Sequence, residues 1–250
     1  MVIRKYGCIK DKPDDRDFKF RLAAPVDAPD LVDLRPNCPP VYNQHELGSC
    51  SANAIGGAIE FDQIKQGMVP WVPSRLFIYY NERAMEGTIN EDAGAQIRDG
   101  IKCINTLGVC PETEWPYDME KFAIKPLLEC YTTAKEHPSV LYHSVNQDQH
   151  SIEQALASGF PVVFGFTVYE KFESEEVAST GILPMLDDEK QECMGGHAVL
   201  CVGYDRIKQL FLVRNSWGEE WGQAGYFWMP YEYMLNENLA HDFWVIQSVK

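Results

Sequence analysis

The sequence predicts an α+β fold in which a mainly helical first half is followed by a β-rich second half. Apolar residues recur at helical spacing in three stretches between residues 49 and 108, and five short β-rich runs separated by turns fill residues 161–249. With 250 residues and 45% apolar content, the chain is long enough to bury a substantial core. We therefore expect a helical lobe at 28–145, a β lobe at 146–250, and a cleft at the border between them.

The first predicted helix begins at Cys50. Ser49 is a suitable N-cap residue and Gly67 a suitable end, and the residues between them place apolar side chains on one face. These apolar residues are Ala54, Ile55, Ala58, Ile59 and Ile64. A second helix is predicted after Pro73, in PSRLFIYYNERAMEG, and a third in AGAQIRDGIKCINTLG, which ends at Gly108.

The second half opens with one short predicted helix, SIEQALASG, and continues as β-rich runs. The runs are PVVFGFTV, HAVLCVGYD, QLFLVRNSW, AGYFWMP and DFWVIQSV. Because they are short and separated by turns, they predict a sheet or a barrel.

Residues 1–27 show neither helical nor strand periodicity and include the charged run PDDRD. This N-terminal extension is too polar to form a core, so we expect it to dock on the folded body or on a neighbouring molecule. The N-terminus lacks the apolar region of a secretory signal, and no stretch approaches the roughly 20 apolar residues of a membrane span. We therefore expect an intracellular or cytoplasmic location, unless a signal has been removed.

The chain is acidic, with a formal net charge of −15 and a pI of about 4.8, which argues against binding of nucleic acid or of an anionic membrane. The eight cysteines form no CxxC pair and no zinc-type spacing with histidine, so the sequence predicts no metal site. Cysteines scattered on apolar segments favour reduced, buried thiols over disulfides. They are Cys8, Cys38, Cys50, Cys103, Cys110, Cys130, Cys193 and Cys201.

Three polar residues in separate segments indicate a catalytic site. Cys50 opens a helix, where unpaired backbone N–H groups and the helix dipole favour the thiolate. His197 follows two glycines in MGGHAVLCVGY, and Asn215 lies in NSWGEEWG, where a carboxamide can orient an imidazole. Trp217 would shield the contact between His197 and Asn215 from water. The alternatives are an inert buried thiol, a core histidine and a core aromatic residue, and His45 is a rival base close to Cys50 in sequence.

The segments QHELGSC, GGHAV and NSWGEEWG resemble the cysteine, histidine and asparagine blocks of the papain-like cysteine peptidases, in the same order. The resemblance covers most of residues 30–250 and is greatest with the cathepsin B branch, although the two-histidine occluding loop of that branch is not evident. It implies a papain-like two-lobe fold, with a helical left lobe and a β-barrel-like right lobe that each supply a catalytic residue. It also implies an acyl-enzyme mechanism that requires no metal or organic cofactor.

The resemblance also implies a set of binding residues. Gln44, six residues before Cys50, would join the Cys50 backbone N–H in an oxyanion hole. Peptide backbone would lie along Gly94 and Ala95. The other implied contacts are a P2 side-chain pocket at Gly165 and Gly196, with His241 or Asp242 near its floor, and a primed-side contact at Trp221, for which a structural role is the alternative.

Two positions depart from the family pattern. Leu47 stands where the family has a cysteine three residues before the nucleophile, and Ser51 replaces the aromatic residue that follows it. Leu47 removes half of a disulfide, which is consistent with a reducing compartment. Ser51 is expected to loosen the packing beneath the start of the helix without removing a catalytic group.

The sequence therefore predicts a thiol-dependent peptidase, expected to be a monomeric endopeptidase acting on peptide or protein substrates. A catalytically silent peptide-binding scaffold and a Cys/His acyl transferase are the alternatives. The extension is far shorter than the family's usual helical pro-segment. We expect it to contact the cleft and restrain the enzyme as in a zymogen, with packing behind one lobe as the alternative.

Overall fold

A computed structural model of the chain describes residues 4–22, 26–137, 140–186 and 191–248. The helices are α1 (Cys50–Lys65), α2 (Arg75–Glu86), α3 (Ile97–Leu107), α4 (Leu128–Ala134), α5 (Gln149–Ala157), α6 (Glu175–Thr180) and α7 (Tyr231–Met234). The strands are β1 (Cys8–Ile9), β2 (Leu31–Asp33), β3 (Ala95–Gln96), β4 (Val140–Ser144), β5 (Val162–Tyr169), β6 (Cys193–Asp205), β7 (Leu210–Arg214), β8 (Tyr226–Pro230) and β9 (Ala240–Ser248). Within the described ranges, no helix is both long and apolar enough to cross a membrane. The predicted α+β fold is confirmed.

The three predicted helices of the first half form at the positions that their end signals indicate. α1 begins at Cys50, and Gly67 just beyond its end has a φ of +68°. The Ser74 side chain caps α2 by accepting a hydrogen bond from the backbone N–H of Phe77 at 3.1 Å. α3 stops before Gly108, whose φ is +74°. Ser49 occupies the position before α1 as predicted, but its side chain makes no capping hydrogen bond, and its Oγ lies 2.6 Å from Tyr117 Oη instead.

The β-rich half forms an antiparallel sheet of seven strands in the order β4-β9-β5-β6-β7-β8, with β2 also paired to β6. The register sets Leu200 of β6 opposite Arg214 of β7. Asn215, directly after β7, therefore falls beside the start of β6, where His197 lies. β2 and β4 come from the predicted helical half and join the sheet by backbone pairing, and the lobe boundary at residue 145 stays a prediction.

Two clusters of buried apolar side chains lie on opposite faces of the sheet, because successive residues of a strand point to opposite sides. Val163 and Leu200 belong to the cluster that contains the α1 side chains, whereas Val162 and Val199 belong to the other. Residues 50–63 of α1 are all buried. The start of α1 is therefore held against the sheet at the level of β6.

The N-terminal extension lies along both halves of the molecule. β1 pairs in parallel with β3, with Cys8 opposite Ala95. Further along, the Phe20 backbone N–H donates to Ser144 O and the Ser144 N–H donates to Phe18 O, each at 2.8 Å. Positions 1–3 and 23–25 of the predicted extension lie outside the described residues.

Candidate active site

Cys50, the first residue of α1, is fully buried, with 0% of its surface exposed. The backbone N–H groups of Ala198, Gly7 and Ser51 act on its sulfur to lower the thiol pKa. Burial nevertheless raises the pKa of the Cys50 thiol to about 11. With the extension in place, the sulfur is therefore protonated at neutral pH.

His197 lies near the start of β6 with its ring fully buried. Its Nε2 forms a 2.8 Å hydrogen bond with Asn215 Oδ1, which also accepts the Ser216 backbone N–H at 2.8 Å. Because a carboxamide oxygen only accepts, Nε2 carries the proton of the neutral ring and Nδ1 is left as an acceptor. Nδ1 is buried and has no hydrogen-bond partner among the described residues.

The protonation state of His197 depends on the burial of its ring. Burial lowers the pKa of His197 to about 4, the Asn215 hydrogen bond raises it, and the nearby Arg4 charge lowers it. The imidazole is therefore neutral in this arrangement and the Cys50 thiol is protonated, whereas the position of Cys50 at a helix start led us to expect a thiolate. The difference arises because both groups are fully buried.

Trp217 stacks on the His197 ring, with centroids 5.1 Å apart and planes at 23°. This geometry agrees with its expected role as a shield over the contact between His197 and Asn215. Trp221 is buried behind Trp217, edge-on at 5.0 Å, and Phe172 packs against both. The surroundings of Trp221 are those of a core aromatic residue, and its primed-side role stays a prediction.

Gln44 is buried with its carboxamide fixed at both ends. Ser216 Oγ donates to Gln44 Oε1 at 2.5 Å, and Gln44 Nε2 donates to Leu47 O at 3.0 Å. Tyr117 Oη donates to the Gln44 carbonyl at 2.9 Å. A carboxamide nitrogen carries two hydrogens, so one N–H remains for another acceptor.

The predicted backbone-binding segment is in contact with the extension. Ala95 N–H donates to Gly7 O at 2.7 Å. A Cβ built on Gly94 would lie 1.9 Å from the same Gly7 oxygen, and Gly94 has a φ of +74°. Gly7 of the extension therefore lies against the segment predicted to bind substrate backbone, and the substrate-binding role of Gly94 and Ala95 stays a prediction.

Gly165 and Gly196, two of the four predicted P2 pocket residues, lie against Cys8 of the extension, and His241 lies beside Gly165. A Cβ on Gly165 would lie 2.6 Å from His241 Cε1 and 2.9 Å from Cys8 Sγ, and a Cβ on Gly196 would lie 2.2 Å from Cys8 O. Because Gly165 and Gly196 have no side chains, they leave the space that Cys8 occupies, and His241 lies next to Gly165.

The fourth pocket residue, Asp242, lies beside His241 and binds another part of the extension. Its Oδ2 is 2.7 Å from His241 Nδ1 and accepts the Asp11 backbone N–H at 2.7 Å. The Asp11 carboxylate accepts hydrogen bonds from Trp244 Nε1 at 2.9 Å and from the Arg98 backbone N–H at 3.2 Å. Burial is the largest cause that raises the pKa of Asp11, and the negative charge of Asp242 is the next.

The first residues of the extension, which the sequence did not single out, also contact the site. Arg4 Cζ lies 3.8 Å from the centroid of the Trp217 ring, and Lys5 Nζ pairs with Asp92 Oδ2 at 2.8 Å. The Tyr6 ring meets His197 edge-on at 5.9 Å, and its hydroxyl donates to Glu173. These residues show no periodicity, so only the fold reveals their positions.

Glu82 on α2 is a second residue that sequence reasoning missed. It is fully buried and accepts a hydrogen bond from Ser51 Oγ at 2.6 Å. This polar contact takes the place of the loose packing that we expected beneath Ser51. Burial raises the pKa of Glu82 to about 8.

Two other sequence features have plain structural outcomes. His45, the rival base, lies on an exposed loop, where its backbone N–H donates to Asn43 Oδ1 at 2.9 Å. Leu47 is a buried core residue, and all eight cysteines are free thiols. Of the two candidate bases, His197 is the one close to Cys50: it directly precedes Ala198, whose backbone N–H lowers the pKa of the Cys50 thiol.

The assembled groups can carry out nucleophilic acyl chemistry. A thiol at a helix start, an imidazole with a free Nδ1, and a carboxamide fixing Nε2 make up a nucleophile, a base and an orienting group. Hydrogen-bond donors at Gln44 and at the start of α1 could stabilise an oxyanion.

Comparison with known proteins identifies the family. Residues 28–242 match the papain family cysteine protease domain. The chain is 46% identical to an uncharacterized peptidase C1-like protein of Acanthamoeba polyphaga mimivirus, over 99% of this chain and 88% of that protein. It is 39% identical to a cathepsin B-like protein of Giardia intestinalis, over 80% of this chain and 68% of that protein. The crystal structure of xylellain, a cysteine protease from Xylella fastidiosa, has a TM-score of 0.90 and 45% identity, and the match covers 98% of this chain and 96% of that one. The chain therefore belongs to the papain family of cysteine proteases.

Proposed function

We propose that this thiol-dependent peptidase cleaves peptide bonds through an acyl-enzyme on Cys50, with His197 as base and acid and Asn215 as the orienting residue. The observation that carries the assignment is the buried imidazole, whose Nε2 is bound to Asn215 Oδ1 at 2.8 Å and whose Nδ1 has no partner among the described residues. That arrangement leaves Nδ1 free to take the thiol proton.

In the proposed reaction, the Cys50 thiolate attacks the substrate carbonyl carbon and the carbonyl oxygen becomes an oxyanion. The free N–H of Gln44 and the Cys50 backbone N–H stabilise that oxyanion. His197 gives its proton to the leaving amine and the acyl-enzyme forms. His197 then takes a proton from water, which attacks the thioester and releases the second product.

Replacing the nucleophile tests these roles. Cys50→Ala should abolish turnover of a peptide substrate and labelling by an irreversible epoxide inhibitor, while unfolding stays cooperative. The matched control is Cys201→Ala, which removes another fully buried thiol and should keep activity and labelling if the variant folds. Wild-type turnover by the Cys50→Ala protein would contradict the assignment.

We propose further that the extension restrains the enzyme from within the cleft. Gly7 presents a backbone N–H to the Cys50 sulfur, and its carbonyl is bonded to Ala95 N–H at 2.7 Å. An N–H group is not an electrophile, so the sulfur faces a hydrogen-bond donor where a substrate would offer a carbonyl carbon. The extension thus occupies the groove without presenting a bond for attack.

The same contacts oppose formation of the reactive ion pair. Burial raises the pKa of Cys50 to about 11 and lowers that of His197 to about 4, and the Arg4 charge also acts against the imidazolium. Withdrawal of the extension would return water to both groups and remove the Arg4 charge. Release would then restore access to the nucleophile and also its ionisation.

A truncation tests the restraint. A chain beginning near Pro29 should show a higher kcat/KM than the full chain on a small peptide at equal titrated thiol, because a tethered competitor has been removed. Equal rates from two equally stable proteins would reduce the extension to structural packing. This outcome would leave the catalytic assignment standing, since that assignment depends on the Cys50→Ala comparison.

We propose endopeptidase action by a monomer. The extension runs past Cys50 in both directions, with Tyr6 at His197 on one side and Cys8 between Gly165 and Gly196 on the other. A groove that holds a continuous chain on both sides of the nucleophile suits cleavage within a chain. One chain supplies every proposed catalytic group, so the mechanism needs no second subunit.

Cys8 also supports the proposed P2 pocket, because its side chain lies where a substrate side chain would enter. Digestion of a denatured protein, with sequencing of the fragments, tests endopeptidase action. Stepwise loss of terminal residues without internal cuts would contradict it.

A further inference from the structure

Two buried cysteines and one exposed glutamate form a cluster that the catalytic machinery does not use. Cys110, Glu114 and Cys130 each offer one ligand atom, and the three atoms lie within 4.8 Å of one another. Twenty positions separate the cysteines in the chain, and the nearest histidine, His137, follows Cys130 by seven residues. The usual spacing patterns for zinc therefore do not reveal this cluster.

The backbone holds the two sulfur ligands in place. Cys110 O accepts the Ser74 N–H at the cap of α2 at 2.9 Å, and Cys130 lies in the first turn of α4, with its N–H donating to Leu127 O at 3.1 Å. Cys130 Sγ also contacts the Glu114 carbonyl at 3.9 Å. Much of the ordering needed for ligand binding is thus already supplied by the fold.

We propose that Cys110, Cys130 and Glu114 bind a zinc ion, with a water molecule as the fourth ligand. Zinc favours tetrahedral sites, with Zn–S of about 2.3 Å and Zn–O of about 2.0–2.2 Å, which sets neighbouring ligand atoms about 3.5–3.8 Å apart. The ligand atoms of Cys110, Glu114 and Cys130 lie within 4.8 Å of one another, so they would have to approach one another by about 1 Å to bind zinc. The exposed Glu114 side chain can supply part of this movement.

The donor set selects against other common cations. Two thiolates bind zinc and other soft or borderline metals, whereas magnesium and calcium prefer oxygen ligands. Binding converts both thiols to thiolates and releases two protons to solvent, so affinity should increase with pH. No oxidation or reduction is involved.

The position of the cluster indicates a structural role. The cysteines bracket the segment that carries Glu112, which pairs with Arg75 at 2.6 Å, and Tyr117, which donates to Gln44 O at 2.9 Å. Zinc would link the two ends of this segment and so support the loop that carries Gln44.

Metal titration of the Cys50→Ala protein tests the proposal, because that background removes the catalytic thiol as a competing ligand. Metal-free protein under a non-thiol reductant should bind one equivalent of cobalt, with the near-ultraviolet sulfur-to-cobalt charge transfer of a thiolate site. Zinc should displace the cobalt. Zinc at about 100 times its Kd should raise Tm by about 5–10 °C.

Variants locate the binding. Joint replacement Cys110→Ser and Cys130→Ser should abolish the charge-transfer band, whereas Cys103→Ser, a buried thiol outside the cluster, should keep it. Glu114→Gln should weaken metal binding about tenfold. Because Glu114 is exposed, this variant should fold, and it therefore tests the proposed site even if the double cysteine variant does not fold.

Three results would overturn the site: absence of the cobalt–thiolate band, unchanged binding by Glu114→Gln, or a disulfide joining Cys110 to Cys130 in protein kept under reductant. The last result would identify the pair as a crosslink.

Discussion

Glu82 makes the stability of this protease depend on pH in a way that one substitution can remove. Its side chain is fully buried under the start of α1, and burial raises its pKa from the usual 4.5 to about 8. Between these two pH values, the folded protein holds a proton on Glu82 that the unfolded chain has lost. Stability from this group is therefore fully present below pH 4.5 and is lost as pH rises through about 8.

The size of the effect follows from the two pKa values. The loss in free energy of unfolding is about 1 kcal/mol at pH 5 and about 4 kcal/mol at pH 8, at about 1.4 kcal/mol per pKa unit. Glu82→Gln keeps an oxygen to accept from Ser51 and cannot ionise. Its NH2 group would replace Glu82 Oε2, which is buried without a hydrogen-bond partner among the described residues, so the expectation concerns the pH dependence. The stability of the variant relative to its parent should increase by about 3 kcal/mol between pH 5 and pH 8.

Urea unfolding at both pH values measures the difference, in the Cys50→Ala background so that self-digestion does not intervene. Glu237→Gln, which removes an exposed carboxylate, is the matched control and should follow the parent at both pH values. If the Glu82→Gln protein loses stability with rising pH as steeply as its parent, Glu82 is not the titrating group.

The contacts of the extension lead to three further expectations. Tyr6→Ala should raise kcat/KM of the full-length enzyme several-fold, because it removes a ring that contacts His197. Arg16→Ala, at an exposed position of the extension, is the control and should leave kcat/KM unchanged. Equal effects of the two substitutions would argue against a specific contact. Alkylation of Cys50 should increase with pH towards a midpoint near 11 in the full chain and at clearly lower pH after trimming, and identical profiles would contradict closure. Asn215→Ala in the trimmed enzyme should lower kcat about tenfold or more with little change in KM, and unchanged kcat would remove its orienting role.

Helices α1, α2, α3 and α5, strands β5–β9 and the central trio of residues could be predicted because their signals are local, whereas α4, α6, α7 and β1–β4 were not predicted. Cys50 stands at a helix start that Ser49 and Gly67 mark from both sides, and the NSWG segment carries Asn215 at the end of β7. Antiparallel pairing of β6 with β7 then brings His197 and Asn215 together without any further information.

The remaining features depend on contacts between distant segments. The extension has no periodicity of its own, so its path through the cleft depends on surfaces built by α1, β3 and β6. Burial of Glu82 follows from the packing of α2 against α1. The cluster of Cys110 and Cys130 needs the fold to close a twenty-residue separation, and the expected absence of a metal site was argued from spacing alone. An intracellular location stays a prediction.

Gly7 of the extension and Gly94 of the groove pass so close to each other that neither position has room for a side chain. A Cβ on Gly7 would lie 2.0 Å from Gly48 O, and one on Gly94 would lie 1.9 Å from Gly7 O. Either contact would have to open to admit the added carbon, which would strain the hydrogen bond from Ala95 to Gly7. Under the proposed restraint, a methyl group at Gly7 would displace the extension and raise activity. A methyl group at Gly94 would hinder the extension and also any substrate bound along the same segment, so only the glycine of the extension can change the restraint without changing the groove.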